Sequence, residues 1–151
     1  MGILERFRTS FSRRPRLLDH LAVSAGRFEK LAADLKHDAE KCAYPNIKAG
    51  LEQLAAAESA QARVLRQMLL GCGASPRPND TPAHGSNNWE RLSTALALQV
   101  ALHRELNLEI AEWDAIEPQF AERLREFAIE EEQNIALLRD LTLRCDPQAL
   151  D

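Results

Sequence analysis

Aromatic, glycine and β-branched residues are scarce in this chain, and long apolar runs are absent from it. Aromatic side chains make up 5% of the sequence, and they do not alternate with basic residues. A nucleic-acid groove built on base stacking needs such interleaving, and the net charge of −4 argues against the same partner. No stretch approaches the about 18 apolar residues of a transmembrane helix, and the N-terminus lacks the apolar run of a signal peptide.

Cysteine is too rare and too irregularly spaced for a disulfide framework. The three cysteines, Cys42, Cys72 and Cys145, are odd in number and lack metal-ligand spacing. This use is typical of reduced thiols, and with the absent export signal it predicts a cytoplasmic protein. Glycine-rich phosphate loops, a nucleophile elbow and a Cys-His-Asn arrangement are also missing, so three large enzyme classes lack support.

Alanine, leucine, glutamate and arginine are abundant instead, in a chain that is 45% hydrophobic and 28% charged. This composition favours an all-α fold, and 151 residues suffice for one domain with a core. Apolar residues recur at helical spacing in four segments, which predict helices over about residues 16–43, 46–70, 88–116 and 118–144. Prolines 45 and 118 and the glycines at 71 and 73 separate them.

The first 14 residues form a basic amphipathic segment, with Leu4, Phe7 and Phe11 at helical spacing. Five arginines against Glu5 give residues 1–16 a net charge of +4, and the total of −4 then leaves −8 for the remainder. Such a segment can lie on an anionic surface or dock on a partner protein. Alternatively it packs its aromatic residues on the bundle, which its short apolar face favours.

Pro15 suits the first turn of a helix, so it predicts a boundary between this short N-terminal helix and the main fold. The predicted organisation is therefore a segment over 1–14, a helical bundle over 15–145 and a tail over 146–151.

Loop lengths predict how the four helices are arranged. Tight turns containing proline join the first helix to the second and the third to the fourth, so each pair forms an antiparallel hairpin. The 17 residues of 71–87 can reach about 55 Å, whereas the second helix is about 37 Å long. The loop can thus return along the bundle and start the third helix parallel to the second. Two hairpins joined by one long crossover form the ferritin-like variant of the four-helix bundle.

The second and fourth helices also repeat one sequence unit at a separation of 73 residues. Each copy begins with proline and places a glutamate at the same point of its apolar face. The equivalent pairs are Pro45 and Pro118, Leu51 and Leu124, Leu54 and Phe127, Ala55 and Ala128, Glu58 and Glu131, Gln61 and Asn134, and Leu65 and Leu138. The repeat predicts that Glu58 and Glu131 meet inside the bundle.

The repeated units, hairpins and crossover resemble the rubrerythrin branch of the ferritin-like superfamily, over about residues 16–144. In that family the second and fourth helices carry Glu-x-x-His, and the first and third each add a glutamate. The resemblance implies two iron or manganese ions and oxidase, peroxidase or iron-storage chemistry. A spacing of three brings carboxylate and imidazole to one helix face, where they can share a metal.

This sequence departs from the family pattern at the ligand positions. Amides stand where both histidines should be, in Glu58-x-x-Gln61 and Glu131-x-x-Asn134. In the first helix, Glu29 lies about 80° from the apolar stripe and is a marginal substitute for the missing glutamate. In the third helix, an amide and an imidazole lie one turn apart on the inner stripe. The predicted cluster is Glu58, Gln61, Gln99, His103, Glu131 and Asn134.

Three interpretations of this cluster remain open from the sequence. It is a metal-free polar network whose two carboxyl groups share a proton, or a site where Glu58, Glu131 and His103 hold one divalent ion, or a surviving dinuclear centre completed by Glu29. Because amides are poor iron ligands, we expect a non-catalytic interaction or structural protein. The alternative is an iron- or manganese-binding oxidoreductase or iron-handling protein. Bundles of this size often pair, so a homodimer is also predicted.

Overall fold

The computed structural model describes residues 2–81 and 85–145, which form four α-helices. These are α1 (Ile3–Lys41), α2 (Pro45–Gly71), α3 (Asn88–Ile116) and α4 (Pro118–Arg144). No strand occurs in the described ranges, so the all-α prediction is confirmed. The predicted tail over 146–151 lies outside them.

Local sequence explains where three of these helices begin. Pro45 and Pro118 occupy the first turns of α2 and α4, where the N–H that proline lacks would have no partner in the helix. The side chain of Asn87 caps α3 by accepting a hydrogen bond from the backbone N–H of Glu90 at 2.9 Å.

The predicted boundary at Pro15 is wrong for the secondary structure, because α1 continues through this residue. Proline inside a helix removes one backbone hydrogen bond and costs about 3 kcal/mol, which the flanking residues can offset. Here Arg14, just before the proline, pairs with Glu117, and Arg16, just after it, pairs with Glu112. These contacts hold both sides of the proline against the C-terminal end of α3.

At the start of α1, the apolar side chains that the structure describes face solvent. The side chains of Ile3 and Leu4 are 79% and 83% exposed. The side chains of Phe7 and Phe11, which the sequence predicts on the same apolar face as Leu4, lie outside the description.

Each helix packs against two others: α1 and α4 both contact α2 and α3. Arg16 early in α1 pairs with Glu112 late in α3, whereas Asp38 late in α1 pairs with Arg91 early in α3. The two helices therefore run in opposite directions. Among the described residues the backbones of α1 and α4, and those of α2 and α3, do not lie side by side, so these pairs occupy opposite corners and meet through core side chains.

The segment after α2 lies on α1. The backbone N–H of Arg77 donates to the carbonyl of Ala22 at 2.9 Å, and its guanidinium group lies 2.7 Å from Asp19. Gly26 permits this approach, since a Cβ there would lie 1.6 Å from the Arg77 carbonyl oxygen.

Two apolar clusters fill the core, one toward each end of the bundle. Along α2, Ala55 belongs to one cluster and Ala62 to the other, and Glu58 lies between them. We call the five buried residues at this boundary the polar layer: Glu58, Gln61, Gln99, Glu131 and Asn134. None of the described helices is both long and apolar enough to cross a membrane.

Candidate functional site

The polar layer brings together two carboxyl groups that water does not reach. Glu58 on α2 and Glu131 on α4 are each 0% exposed. They lie on facing helices because equivalent residues of the two sequence copies point toward the same bundle axis. The two carboxyl groups lie close enough to shift each other's pKa. The sequence repeat thus predicted where these acids meet.

Amide groups surround the carboxyl pair. The Nε2 atom of Gln99, on α3, donates to Oε1 of Glu58 and, at 3.2 Å, to Oε2 of Glu131. The Nδ2 atom of Asn134 donates to Oε1 of Glu131 at 3.3 Å. Glu131 therefore accepts two amide hydrogen bonds and Glu58 accepts one. The difference decides which of them holds a proton more tightly.

Burial, together with the neighbouring charge of Glu131, raises the pKa of Glu58 to about 9. Burial also raises the pKa of Glu131, while hydrogen bonds from Gln99, Glu58 and Asn134 oppose that increase. Two adjacent carboxylates cannot both ionise cheaply in an apolar core, so the pair shares a proton at neutral pH. We assign that proton to Glu58, because Glu131 has more donors to stabilise its charge.

Two oxygen atoms of the layer have no hydrogen-bond partner among the described residues, Oε2 of Glu58 and Oε1 of Gln99. An unsatisfied buried polar atom costs about 1–3 kcal/mol. Protonation of Glu58 turns one of its oxygens into a donor, which Glu131 can accept. The shared proton therefore satisfies a group that would otherwise be stranded.

Gln61 and His103 belong to the predicted cluster but bond to backbone rather than to the acids. The Nε2 atom of Gln61 donates to the carbonyl of Phe127 at 3.3 Å. The Nε2 atom of His103 lies 3.1 Å from the carbonyl of Ala128, and a carbonyl only accepts, so this nitrogen carries hydrogen. Its other ring nitrogen lies 3.4 Å from the Asn107 amide. Both nitrogens of His103 are thus engaged beside the acid pair.

Glu29, the predicted additional ligand, lies outside the cluster. Its two carboxylate oxygens accept hydrogen bonds from Nε and Nη2 of Arg66, at 2.7 and 3.0 Å, on the surface between α1 and α2. The cause is its angular offset from the apolar stripe of α1, which turns the side chain toward solvent. At the level of the acids α1 contributes Phe28 instead, whose ring meets Phe127 edge-on at 5.2 Å.

These donors do not fit a dinuclear metal centre. Such a centre uses about six protein ligands, mostly carboxylates with two imidazoles. Within residues 2–81 and 85–145, no three His, Cys, Asp or Glu side chains are grouped so that they could hold one metal ion. The nearest nitrogen between the acids belongs to an amide, which donates hydrogen and offers no lone pair.

Sequence reasoning missed two charged sites outside the layer. Asp38 is buried and pairs with Arg91 at 3.2 Å; its burial raises the pKa of this carboxyl despite the arginine. The spacing of Asp38 from Leu31 and Leu35, seven and three residues, could have indicated its inward position.

Glu109 on α3 is half-buried. One of its carboxylate oxygens has no partner among the described residues, and burial raises its pKa to about 7, with smaller effects from Glu105 and Glu112. Glutamates at 105, 109 and 112 have the spacing of a solvated helix face, and the sequence does not reveal how closely α1 covers this part of α3.

Comparison of the chain with family models, curated proteins and solved structures finds no match.

Proposed function

We propose that this chain is a ferritin-like four-helix bundle of the rubrerythrin type that has lost its dinuclear metal centre and works as a non-catalytic interaction or structural protein. Two observations support the family assignment. Equivalent residues of α2 and α4 stand 73 positions apart, and the segment between α2 and α3 lies on α1 in the manner of a crossover. A cytoplasmic location and a homodimer belong to the same proposal, and sedimentation velocity tests the dimer.

The position of the Gln99 amide nitrogen carries the proposal. This nitrogen donates to both Glu58 and Glu131, so it occupies the place from which an ion would bridge them. A cation there would meet N–H hydrogens instead of lone pairs. Metal binding would therefore require that Gln99 turn away and that the acids lose their shared proton.

A proton can replace the metal in balancing the buried charge. When Glu58 is neutral, only Glu131 carries a negative charge, and amide donors from Gln99 and Asn134 stabilise it. The layer is then a hydrogen-bonded network that needs no cation. Such a network serves the fold and supplies no redox chemistry.

Elemental analysis after purification without chelators tests this proposal. We expect iron, manganese and zinc far below one ion per chain, and no change in Glu131→Ala or in Glu130→Ala, an exposed neighbour that serves as the matched control. Near-stoichiometric metal that is lost only in Glu131→Ala would overturn the metal-free function.

A metal-binding oxidoreductase or iron-handling protein is the second candidate, because Oε2 of Glu58 and Oε1 of Gln99 are unsatisfied oxygens. A divalent ion could use them together with Glu131 and His103, provided that His103 leaves the Ala128 carbonyl. Loss of bound metal in His103→Ala would favour this candidate, since that residue would serve as its imidazole ligand.

A further inference from the structure

The first residues of α1 extend past the end of the bundle. Arg14 marks the level where the bundle ends, because it pairs with Glu117 between α3 and α4 and contacts the side chain of Cys72 just after α2. Residues 3–13 continue the helix beyond this level. At 1.5 Å per residue, this overhang is about 16 Å long.

The overhang has one apolar face with arginines on both sides of it. At about 100° per residue, helix positions 3, 4, 7 and 11 share a face about 100° wide, and the sequence there is Ile, Leu, Phe and Phe. Arg8 lies on one flank of this face, and Arg6 and Arg13 lie on the other. All three arginines are exposed.

We propose that the overhang binds an anionic lipid surface. A helix with this pattern lies in the membrane interface, with its apolar side chains below the headgroups and its cations beside the lipid phosphates. Ile3 and Leu4 are exposed and available for that insertion. Cations on both flanks of the apolar face match the phosphates of a flat anionic surface.

Charge and backbone geometry favour the overhang as the contacting part. The chain beyond residue 16 carries −8, so an anionic membrane repels the rest of the protein while it attracts the first residues. Pro15 lacks the N–H that would bond the carbonyl four residues earlier, so bending is easier in the turn that leads up to the anchored Arg14 than elsewhere in α1. Bending at this point would let the overhang lie flat while the acidic bundle stays in water.

Vesicle co-sedimentation of the full chain tests the proposal. The vesicles are mixed phosphatidylglycerol and phosphatidylcholine, or phosphatidylcholine alone. Two triple variants with equal loss of charge are compared, one in the overhang and one at exposed arginines of the bundle: Arg6→Gln, Arg8→Gln, Arg13→Gln against Arg104→Gln, Arg123→Gln, Arg139→Gln. Circular dichroism checks that both variants keep the helical content of the wild type.

The wild type should bind the anionic vesicles, and this binding should weaken as salt rises. It should bind phosphatidylcholine vesicles far less. Each arginine near such a surface contributes about fivefold, so the overhang variant should lose about a hundredfold in affinity. The bundle variant should bind as well as wild type or better. Equal binding by the two variants would refute the proposal, and so would absent binding to anionic vesicles. If wild type instead forms dimers that only the overhang variant loses, a second copy is the partner and the lipid proposal is wrong.

Discussion

Glu58→Gln removes from the core an ionisation that burial suppresses. The folded pKa of this carboxyl is about 9, against an ordinary value of 4.5, so folding binds a proton over the interval between them. A neutral Glu58 therefore stabilises the fold fully below about pH 4.5, and this contribution is lost as pH rises toward 9. Each pH unit in the interval costs about 1.4 kcal/mol for one proton.

The magnitude at neutral pH follows from the same interval. At about pH 7.5, three units above the ordinary value, the wild type has lost about 4 kcal/mol of this stabilisation. The Glu58→Gln variant loses none of it, because its side chain does not ionise. The glutamine amide can still accept from Gln99 and donate to Glu131. We expect the variant to gain stability over the wild type by about 1.4 kcal/mol per pH unit between about pH 5 and pH 9.

Urea unfolding followed by far-ultraviolet circular dichroism at several pH values measures this difference directly. The matched control is Glu130→Gln, an exposed carboxyl one residue from the layer, which should follow the wild type at every pH. Because other titrating groups are common to the proteins, their effects cancel in the comparison. Parallel stability curves for Glu58→Gln and wild type would refute the shared-proton assignment.

Two further substitutions test contacts outside the layer. Gly26→Ala should destabilise the protein by about 1–3 kcal/mol, because the added Cβ would overlap the Arg77 carbonyl; thermal unfolding would show it, while Gly71→Ala, with open space around it, should not lower the melting temperature, and equal effects would contradict the close contact. Asp38→Ala and Asp38→Asn should each cost about 3 kcal/mol in urea unfolding, because both leave the Arg91 guanidinium, 12% exposed, without its counter-charge; unchanged stability in Asp38→Asn would show that the charge pair contributes little.

The sequence predicted the helices and the acid pair because both depend on repeated local spacing. The period of the apolar stripes fixed which face of α2 and α4 turns inward, and the shared offset of Glu58 and Glu131 removed the uncertainty in helix phase. The same period placed Gln99 on the inner face of α3. Burial of these three side chains follows from backbone geometry that a single helix already possesses.

What the sequence could not predict depends on neighbours that are distant along the chain. His103 lies on the inner side of α3, but its hydrogen bond to Ala128 depends on how closely α4 approaches. Proline interrupts many helices, and the ion pairs of the adjacent arginines explain why α1 continues through Pro15. Asp38 needed its counter-charge, and Arg91 is 53 positions away.

The acids between the two apolar clusters also determine how far the hairpins can slide along each other. A slip of one helical turn, about 5.4 Å, would carry Glu131 away from Gln99 and place a carboxyl group among leucine and phenylalanine side chains. Alanine and leucine recur along every helix, so the two apolar clusters alone would be compatible with several such offsets. The acid pair therefore favours a single alignment, and a bundle without it would keep its helices while their axial register became ambiguous.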